Sequence, residues 1–404
     1  MSEPLVIIGN GMAAARLADE LSKRALGKYA VAVIGDEPRL AYNRVLLSSM
    51  LAGDVTPSDL ELKPARWWRD HGVTLSYGRA AVAVDLDRRN VRLADGRIVP
   101  FGKLVFATGS QAIRLNIPGA GLDGVHTFRD TSDVEGLLRL AAGKKRVVVI
   151  GGGLLGLEAA YGLVKAGAEV LLVHLMDRLM ERQLDAPAAA LLKRLVEVKG
   201  ITVRLETNTA KILGEHAVEA VEFTDGSRVD ADAVIFAAGI RPNAELARQA
   251  GIAVNRGIVV GDDLQTSVEG VYAIGECAEH RGICYGLVEP AYEQARELAA
   301  VLARGRGAYT GSVVATNLKV SGINVFSAGD YLGAEGGETL ELRDDRLGTY
   351  KKLVVSDHRL TGAVLIGDTE HALWYLRLIR SGERVAAIRS SLMFGPLDYE
   401  RRAA

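Results

Sequence analysis

At residues 147–156 the chain reads VVVIGGGLLG, a β-branched run that breaks into three glycines and continues as a helix-like pattern. Residues 5–14, LVIIGNGMAA, have the same form. An internal repeat of this kind governs the reading of everything around it. Each copy is followed by a second related segment: VRLADGRIVPFGKLVFATG at 91–109, and VEFTDGSRVDADAVIFAAG at 221–239. Asp95-Gly96 and Asp225-Gly226 predict tight turns between strands. Asp95 to Gly109 and Asp225 to Gly239 are both 14 residues apart. Two similar modules follow, each alternating strands with helices in the manner of βαβ units and parallel sheets.

The glycine stretches are Gly9-x-Gly11-x-x-Ala14 and Gly151-x-Gly153-x-x-Gly156. Each lies between a strand pattern and a helix pattern, the context that makes such a motif a nucleotide fingerprint. Gly9 and Gly151 permit the turn. Gly11 and Gly153 let the backbone approach a pyrophosphate at the positive end of a helix, and Ala14 or Gly156 keeps the helix close to the strand. Such a fold also wants an acid near the end of its second strand, to hold a ribose. Asp36 and Glu37 follow Ala14 at about the right distance. His174 stands where the acid of the second copy is expected, with Arg178 nearby. A carboxylate would repel a 2′-phosphate and this pair would not, which favours tolerance of NADPH. A surface pair indifferent to the ribose fits the sequence equally.

The chain has 404 residues, 49% hydrophobic and 25% charged, with net charge −1. Length and composition suit two or three folded domains. The charge balance gives no reason to expect nucleic acid or an anionic membrane as partner. No apolar run approaches the ~18–20 residues that span a bilayer, and the start, MSEP, has no basic leader. A cytoplasmic protein is expected. Two cysteines, Cys277 and Cys284, make neither a disulfide framework nor an iron–sulfur ligand set. His71 and His280 lack neighbours at ligand spacing, so no metal site is expected.

With both glycine motifs and both Asp-Gly segments placed, the chain resembles the two-dinucleotide-binding-domain flavoproteins. The resemblance implies two Rossmann-like dinucleotide-binding domains (three-layer ββα) of α/β class plus a C-terminal α+β domain. FAD would be held by residues 1–113 and 241–311, and NADH or NADPH by 114–240, with 312–404 as an interface domain. DEPRLAYNRVLLSSMLAG at 36–53, VHLMDRLMERQLD at 173–185 and GECAEHRGICYGLVEP at 275–290 are similar to two narrower groups. These are the N-terminal portion of assimilatory nitrite reductase large subunits and the electron-transfer subunits of nitrate assimilation. Such large subunits continue into cysteine-rich iron–sulfur and sirohaem domains. This chain ends at Ala404, so delivery of electrons is expected of it, not reduction of nitrite.

On the same resemblance Asp36 and Glu37 approach the adenosine ribose, and Arg44 the FAD pyrophosphate. Ser49 stands where many relatives carry a lysine near the flavin. Thr108 and Gly109 line the FAD cradle, and Gly275 and Glu276 close it, Glu276 replacing the usual aspartate. Further cofactor contacts are implied for Met12, Ala13, Val82, Ala107, Leu287 and Val288. In the second module and beside it they are implied for Arg129, Leu154, Leu155, Ala238 and Gly239. Glu158 would lie between nicotinamide and isoalloxazine; a favourable charge near a helix N-terminus is the plainer alternative. For Arg44 the alternative is a solvated loop arginine, and Cys277 reads as a buried small residue. Arg377, Arg380 and Arg384 fall on one helix face, either a docking patch for an acidic partner or a solvated surface.

The implied activity is hydride transfer from NAD(P)H to flavin N5. Electrons then pass to a separate iron–sulfur or haem protein: a nitrite or nitrate reductase component, a ferredoxin or a rubredoxin. A flavin oxidase or peroxidase and a redox sensor are the alternatives. Oligomeric state, a homodimer included, stays open.

Overall fold

A computed structural model of the chain describes residues 2–141, 143, 145–320, 322–333 and 337–396. It divides into two compact units. The first contains residues 1–47, 55–111 and 240–312; the second contains 48–54, 112–239 and 313–404.

In the first unit β1 (Glu3–Ile8) leads through Gly9–Gly11 into α1 (Met12–Arg24) and on to β2 (Tyr29–Ile34). Leu5, Val6, Ile7 and Ile8 are all buried. A continuous apolar run of this kind marks a strand covered on both faces. β1 pairs in parallel with β2 on one side and with Lys103–Phe106 on the other. Strands Thr74–Ser76 and Val271–Ala273 complete the sheet at its two edges. Leu17, Ala18 and Leu21 of α1 share its buried core with Leu104 and Phe106.

The second unit repeats this plan. β3 (Arg146–Ile150), α2 (Leu154–Lys165) and β4 (Glu169–Val173) stand in the same order. β3 lies between β4 and Ala233–Phe236, with Ile201–Arg204 and Val125–Thr127 at the edges. The two five-stranded sheets match strand for strand. They differ in the source of one edge: Val271–Ala273 comes from late in the chain, whereas Val125–Thr127 lies ahead of its module's glycine loop. Each module also carries an antiparallel three-stranded sheet. The Asp-Gly turns close hairpins there, joining Asn90–Leu93 to Ile98–Pro100 and Ala220–Phe223 to Arg228–Asp230. Gly96 and Gly226 have φ of 87° and 83°, the conformation such turns ask of glycine.

The C-terminal part of the second unit is a five-stranded antiparallel sheet from Ala315 to Ile366, with helix Ala372–Ser381 packed on it. Tyr375 and Leu378 of that helix are buried with Phe326, Leu353 and Leu365. Within this unit α3 (Ala186–Val198) is capped by Asp185, whose carboxylate accepts from the Ala188 amide (3.2 Å). The same carboxylate receives the Tyr350 hydroxyl (2.9 Å) and faces the Lys352 ammonium (3.2 Å) from β5 (Thr349–Ser356). A buried acid so fully partnered ties the C-terminal sheet to the second module. Among the described residues no helix is long and apolar enough to cross a membrane.

Candidate functional site

Each glycine loop is fixed by its backbone. The Gly9 amide donates to Ile34 O (2.7 Å) and the Gly151 amide to Val173 O (2.9 Å), so each loop starts from the end of the neighbouring strand. Gly9 and Gly151 have φ of 113° and 125°. A β-carbon on Gly9 would be driven into the carbonyl of Ala107, and one on Gly151 into that of Ala237. Gly11 and Gly153 cap α1 and α2 with ordinary φ, −103° and −80°, and no side chain caps either helix. The cap residue itself thus offers the first-turn amides no side-chain acceptor. A β-carbon on Gly11 or Gly153 would meet nothing within 4 Å. Clear space in front of an uncapped helix N-terminus is what a dinucleotide pyrophosphate requires, so the residues present fit such a cofactor in both modules. Ala14 and Gly156 are buried at the helix–strand contact, and a β-carbon on Gly156 would strike Gly151 O.

Around the first loop the structure gathers residues distant in sequence. Ala107 follows the strand beside β1, its amide bonded to Ile8 O (2.7 Å). Thr108 and Asn243 exchange bonds: the Thr108 hydroxyl donates to Asn243 O (2.6 Å), and the Asn243 amide group to Thr108 O (3.0 Å). Gly109 takes φ 67°. Gly275, at φ 80°, lies so near Ala13 that an added β-carbon would come within 3.1 Å of its methyl group. The Gly275 amide is held by the Gln294 side chain (2.7 Å). Glu276 accepts a hydrogen bond from the Ser110 hydroxyl (2.7 Å), which fixes the longer acid where an aspartate was the usual residue. Leu287 caps helix Val288–Arg304, again with no side-chain bond. Ser110, Asn243 and Gln294 carry no signature in the sequence; only the fold brings them here.

Other expected residues stand as follows. The Asp36 carboxylate accepts from the Glu37 amide (2.9 Å). The Glu37 carboxylate receives both the Tyr42 hydroxyl (2.7 Å) and the Arg44 guanidinium, and Arg44 lies over the Tyr42 ring at 5.0 Å. Arg44 is thus a paired, half-buried residue. Ser49 belongs to segment 48–54, which is part of the second unit. There a β-carbon on Gly162 of α2 would strike Leu51, and Lys165 bonds Asp54 (2.7 Å). Val82 is 38% exposed on the edge of its hairpin sheet. The Arg129 amide donates to Asp133 (2.7 Å). Ala238 and Gly239 follow the strand beside β3, with Gly239 at φ 112°. His71 stacks on Trp67 at 4.2 Å, and His280 bonds Asp262 (2.8 Å).

The structure ties the His174 ring into the protein. It is 9% exposed, and both ring nitrogens are engaged within the protein: Nδ1 accepts from the Gly152 amide (3.0 Å) and Nε2 meets Glu181 (3.1 Å). The loop amides of Gly9 and Gly151 bond the last residues of β2 and β4, which makes His174 the counterpart of Gly35. Asp36 corresponds to Leu175, an exposed apolar residue. Arg178 holds both oxygens of Asp177 at 3.0 Å. The second module therefore has no carboxylate at the position where the first has Asp36.

Glu158, in α2, is 8% exposed, and burial pushes its pKa up to about 8. Burial thus works against the ionised form of this carboxyl. Cys277 is fully buried, its Sγ near Ile274 O (3.3 Å) and Phe106 O (3.5 Å), and burial raises its pKa. A thiol so placed is inert. Cys277→Ala protein is expected to oxidise NAD(P)H within about twofold of the wild-type rate; a drop beyond tenfold with flavin retained would make the thiol a participant.

Two glycine loops of one design, each leading from a parallel strand into a helix, give the chain the two-module form of a dinucleotide-binding protein. The sequence profile of the pyridine nucleotide-disulphide oxidoreductase family matches residues 3–300, and that of the rubredoxin NAD+ reductase C-terminal domain matches 315–383. The chain belongs to the pyridine nucleotide-disulphide oxidoreductase family. It is 42% identical over 397 residues to a nitrite reductase [NAD(P)H] of Bacillus subtilis, covering 98% of this chain and 49% of that protein. It is likewise 42% identical over 366 residues to the assimilatory nitrate reductase electron transfer subunit of the same organism, covering 90% and 48%. The chain thus spans about half the length of these curated relatives. Among solved structures, a ferredoxin reductase from Rhodopseudomonas palustris superposes with a TM-score of 0.88 at 27% identity, covering 95% of this chain and 96% of that one.

Proposed function

We propose that this chain is an FAD-dependent NAD(P)H oxidoreductase that passes electrons to a separate redox protein. The acceptor is a nitrite or nitrate reductase component, a ferredoxin or a rubredoxin. The observation that carries the reading is the duplicated cradle: one chain has two uncapped helix N-termini, each fronted by a glycine loop with free space before it. One cradle serves FAD and the other NADH or NADPH.

In this reading Gly9, Gly11 and the start of α1 take the FAD pyrophosphate. Asp36 receives the adenosine ribose, and Glu276, steadied by Ser110, the ribityl chain. Residues 1–113 and 241–311 form the FAD part, 114–240 the nucleotide part and 312–404 the interface domain. FAD held there would supply the redox chemistry between a hydride donor and single-electron acceptors. The protein orients two cofactors and holds Glu158 neutral, so that no buried charge opposes the anionic nucleotide.

The test is an anaerobic visible spectrum before and after NADH, and separately NADPH, followed by an oxidised iron–sulfur protein. A yellow protein bleached by a nucleotide and recoloured by the acceptor is the expected result. A colourless protein that FAD does not reconstitute would overturn the reading, and fast reoxidation by oxygen alone would make it an oxidase.

A further inference from the structure

The middle glycine of GGG has no part in the usual account of such loops, in which the first, third and sixth positions do the work. Here it is tied through its peptides and hemmed in by side chains. The Gly152 amide donates to His174 Nδ1 (3.0 Å), and its carbonyl accepts from the Met180 amide (3.0 Å). A β-carbon on Gly152 would come within 2.7 Å of His174 Cγ and 2.8 Å of Leu179 Cδ2. The peptide on each side of Gly152 is therefore fastened to one segment, 174–181, and the imidazole fills the space a side chain would take.

The bond direction fixes the histidine. Nδ1 accepts from a backbone N–H, so it carries no proton, and the ring proton sits on Nε2 and donates to Glu181. The backbone of His174 is tied as well: its amide donates to Arg204 O and its carbonyl accepts from the Thr207 amide, both at 2.9 Å.

The first module solves the same packing problem in reverse. Asn10 occupies the position of Gly152 and Gly35 that of His174, and a β-carbon on Gly35 would lie 2.6 Å from Asn10 Cβ. Large faces small in both modules, with the partners exchanged. In the first, the side chain is on the loop and its amide group donates to Arg39 O (3.1 Å). In the second, the side chain is on the segment after β4 and accepts from the loop backbone.

We infer that His174 is a positioning residue for the second nucleotide loop: as a neutral imidazole braced by Glu181, it holds the Gly152 peptide so that Gly153 and the first turn of α2 face the pyrophosphate of NAD(P)H. This rests on reading 151–156 as the NAD(P)H cradle. Removing the acceptor leaves the Gly152 amide buried and unpartnered, and the loop then relaxes away from its ligand-ready form.

The experiment uses the full chain loaded with FAD and the variants His174→Leu, His174→Asn and Glu181→Ala. NAD+ affinity is read by isothermal titration. KM and kcat for NADH are read with ferricyanide as acceptor, and the flavin-to-protein ratio and melting curve serve as fold controls. His174→Leu is expected to raise the NAD+ Kd and the NADH KM by about tenfold to a hundredfold, with kcat and flavin content nearly unchanged. His174→Asn, whose Oδ1 can stand where Nδ1 does, is expected to return both to within about threefold of wild type. Affinity of the leucine variant within twofold of wild type overturns the inference, as does an asparagine variant no better than leucine. Should the leucine variant not fold, Glu181→Ala decides: its KM rises about threefold to tenfold if the brace matters, and an unchanged KM overturns it. A wild-type protein that holds FAD yet binds neither NAD+ nor NADP+ would refute the cradle reading itself, and the role of His174 would fall with it.

Discussion

Gly9→Ala protein is expected to purify without flavin, whereas Gly151→Ala protein is expected to purify yellow and to stay yellow when NADH or NADPH is added. The two substitutions are the same change in two copies of one loop, and the expected losses follow from the same geometry. At φ of 113° and 125° an alanine is strained by about 1–2 kcal/mol before any contact is considered. Its β-carbon would also stand 2.5 Å from the carbonyl carbon of Ala107, or 2.6 Å from that of Ala237. Those are backbone atoms of a neighbouring buried strand end, so no flexible side chain can make room. Overpacking of this kind costs about 1–3 kcal/mol. Together the terms reach about 3 kcal/mol, a hundredfold or more in cofactor affinity if the loop absorbs the strain.

Gly11→Ala and Gly153→Ala separate folding from binding. Both glycines have negative φ, and an added methyl meets no protein atom within 4 Å. Melting is expected to stay within a degree or two of wild type. The methyl would still stand in the space through which the pyrophosphate approaches, so flavin is lost from the first variant and nucleotide binding from the second. Flavin content settles the first cradle, and NAD+ titration the second. Full flavin occupancy in both Gly9→Ala and Gly11→Ala would mean that FAD is held elsewhere.

Much of this design was legible in the sequence because it rests on local rules. A β-branched run ending in glycines can only be a strand entering a tight turn, and the equal spacing from Asp-Gly to the later glycine marked a repeated hairpin and strand. What was not legible depends on contacts across the chain. Ser110 and Glu276 are 166 residues apart, and neither announces the other. The edge strand of the first sheet comes from 271–273, whereas that of the second comes from 125–127. His174 shows the limit most clearly. Counting from the glycines reached His174, whereas strand register matches Asp36 with Leu175, and the missing side chain of Gly152 leaves the space that the imidazole fills. The sequence signal was present in the middle of the three consecutive glycines, Gly152, which a Gly-x-Gly-x-x-Gly reading leaves unused.

Stability is expected to fall as pH rises from about 5 to about 8, and Glu158→Gln is expected to abolish most of that slope. In the unfolded chain this glutamate loses its proton near its ordinary value of 4.5, while in the native chain burial holds the proton until about 8. Between those values the native state carries a proton that the unfolded state has released. Raising the pH therefore favours unfolding across that window, and the effect levels off once both states are ionised. A displacement of this size corresponds to about 5 kcal/mol in all, an upper figure because the fold can relax around the charge. Glutamine has the shape of the protonated acid and never ionises. Below pH 5 the two proteins should melt together; at pH 8 and above the variant should melt several degrees higher. Melting curves of the flavin-loaded protein from pH 5 to 9 provide the comparison, and parallel curves for both proteins would show that Glu158 is ionised in the native state. The same neutrality bears on catalysis. In the function proposed, a carboxylic acid that stays protonated at pH 7 does not oppose an anionic dinucleotide. In wild type, nucleotide affinity is then expected to weaken above pH 8, as the buried carboxylate ionises, and in Glu158→Gln to stay level through that range.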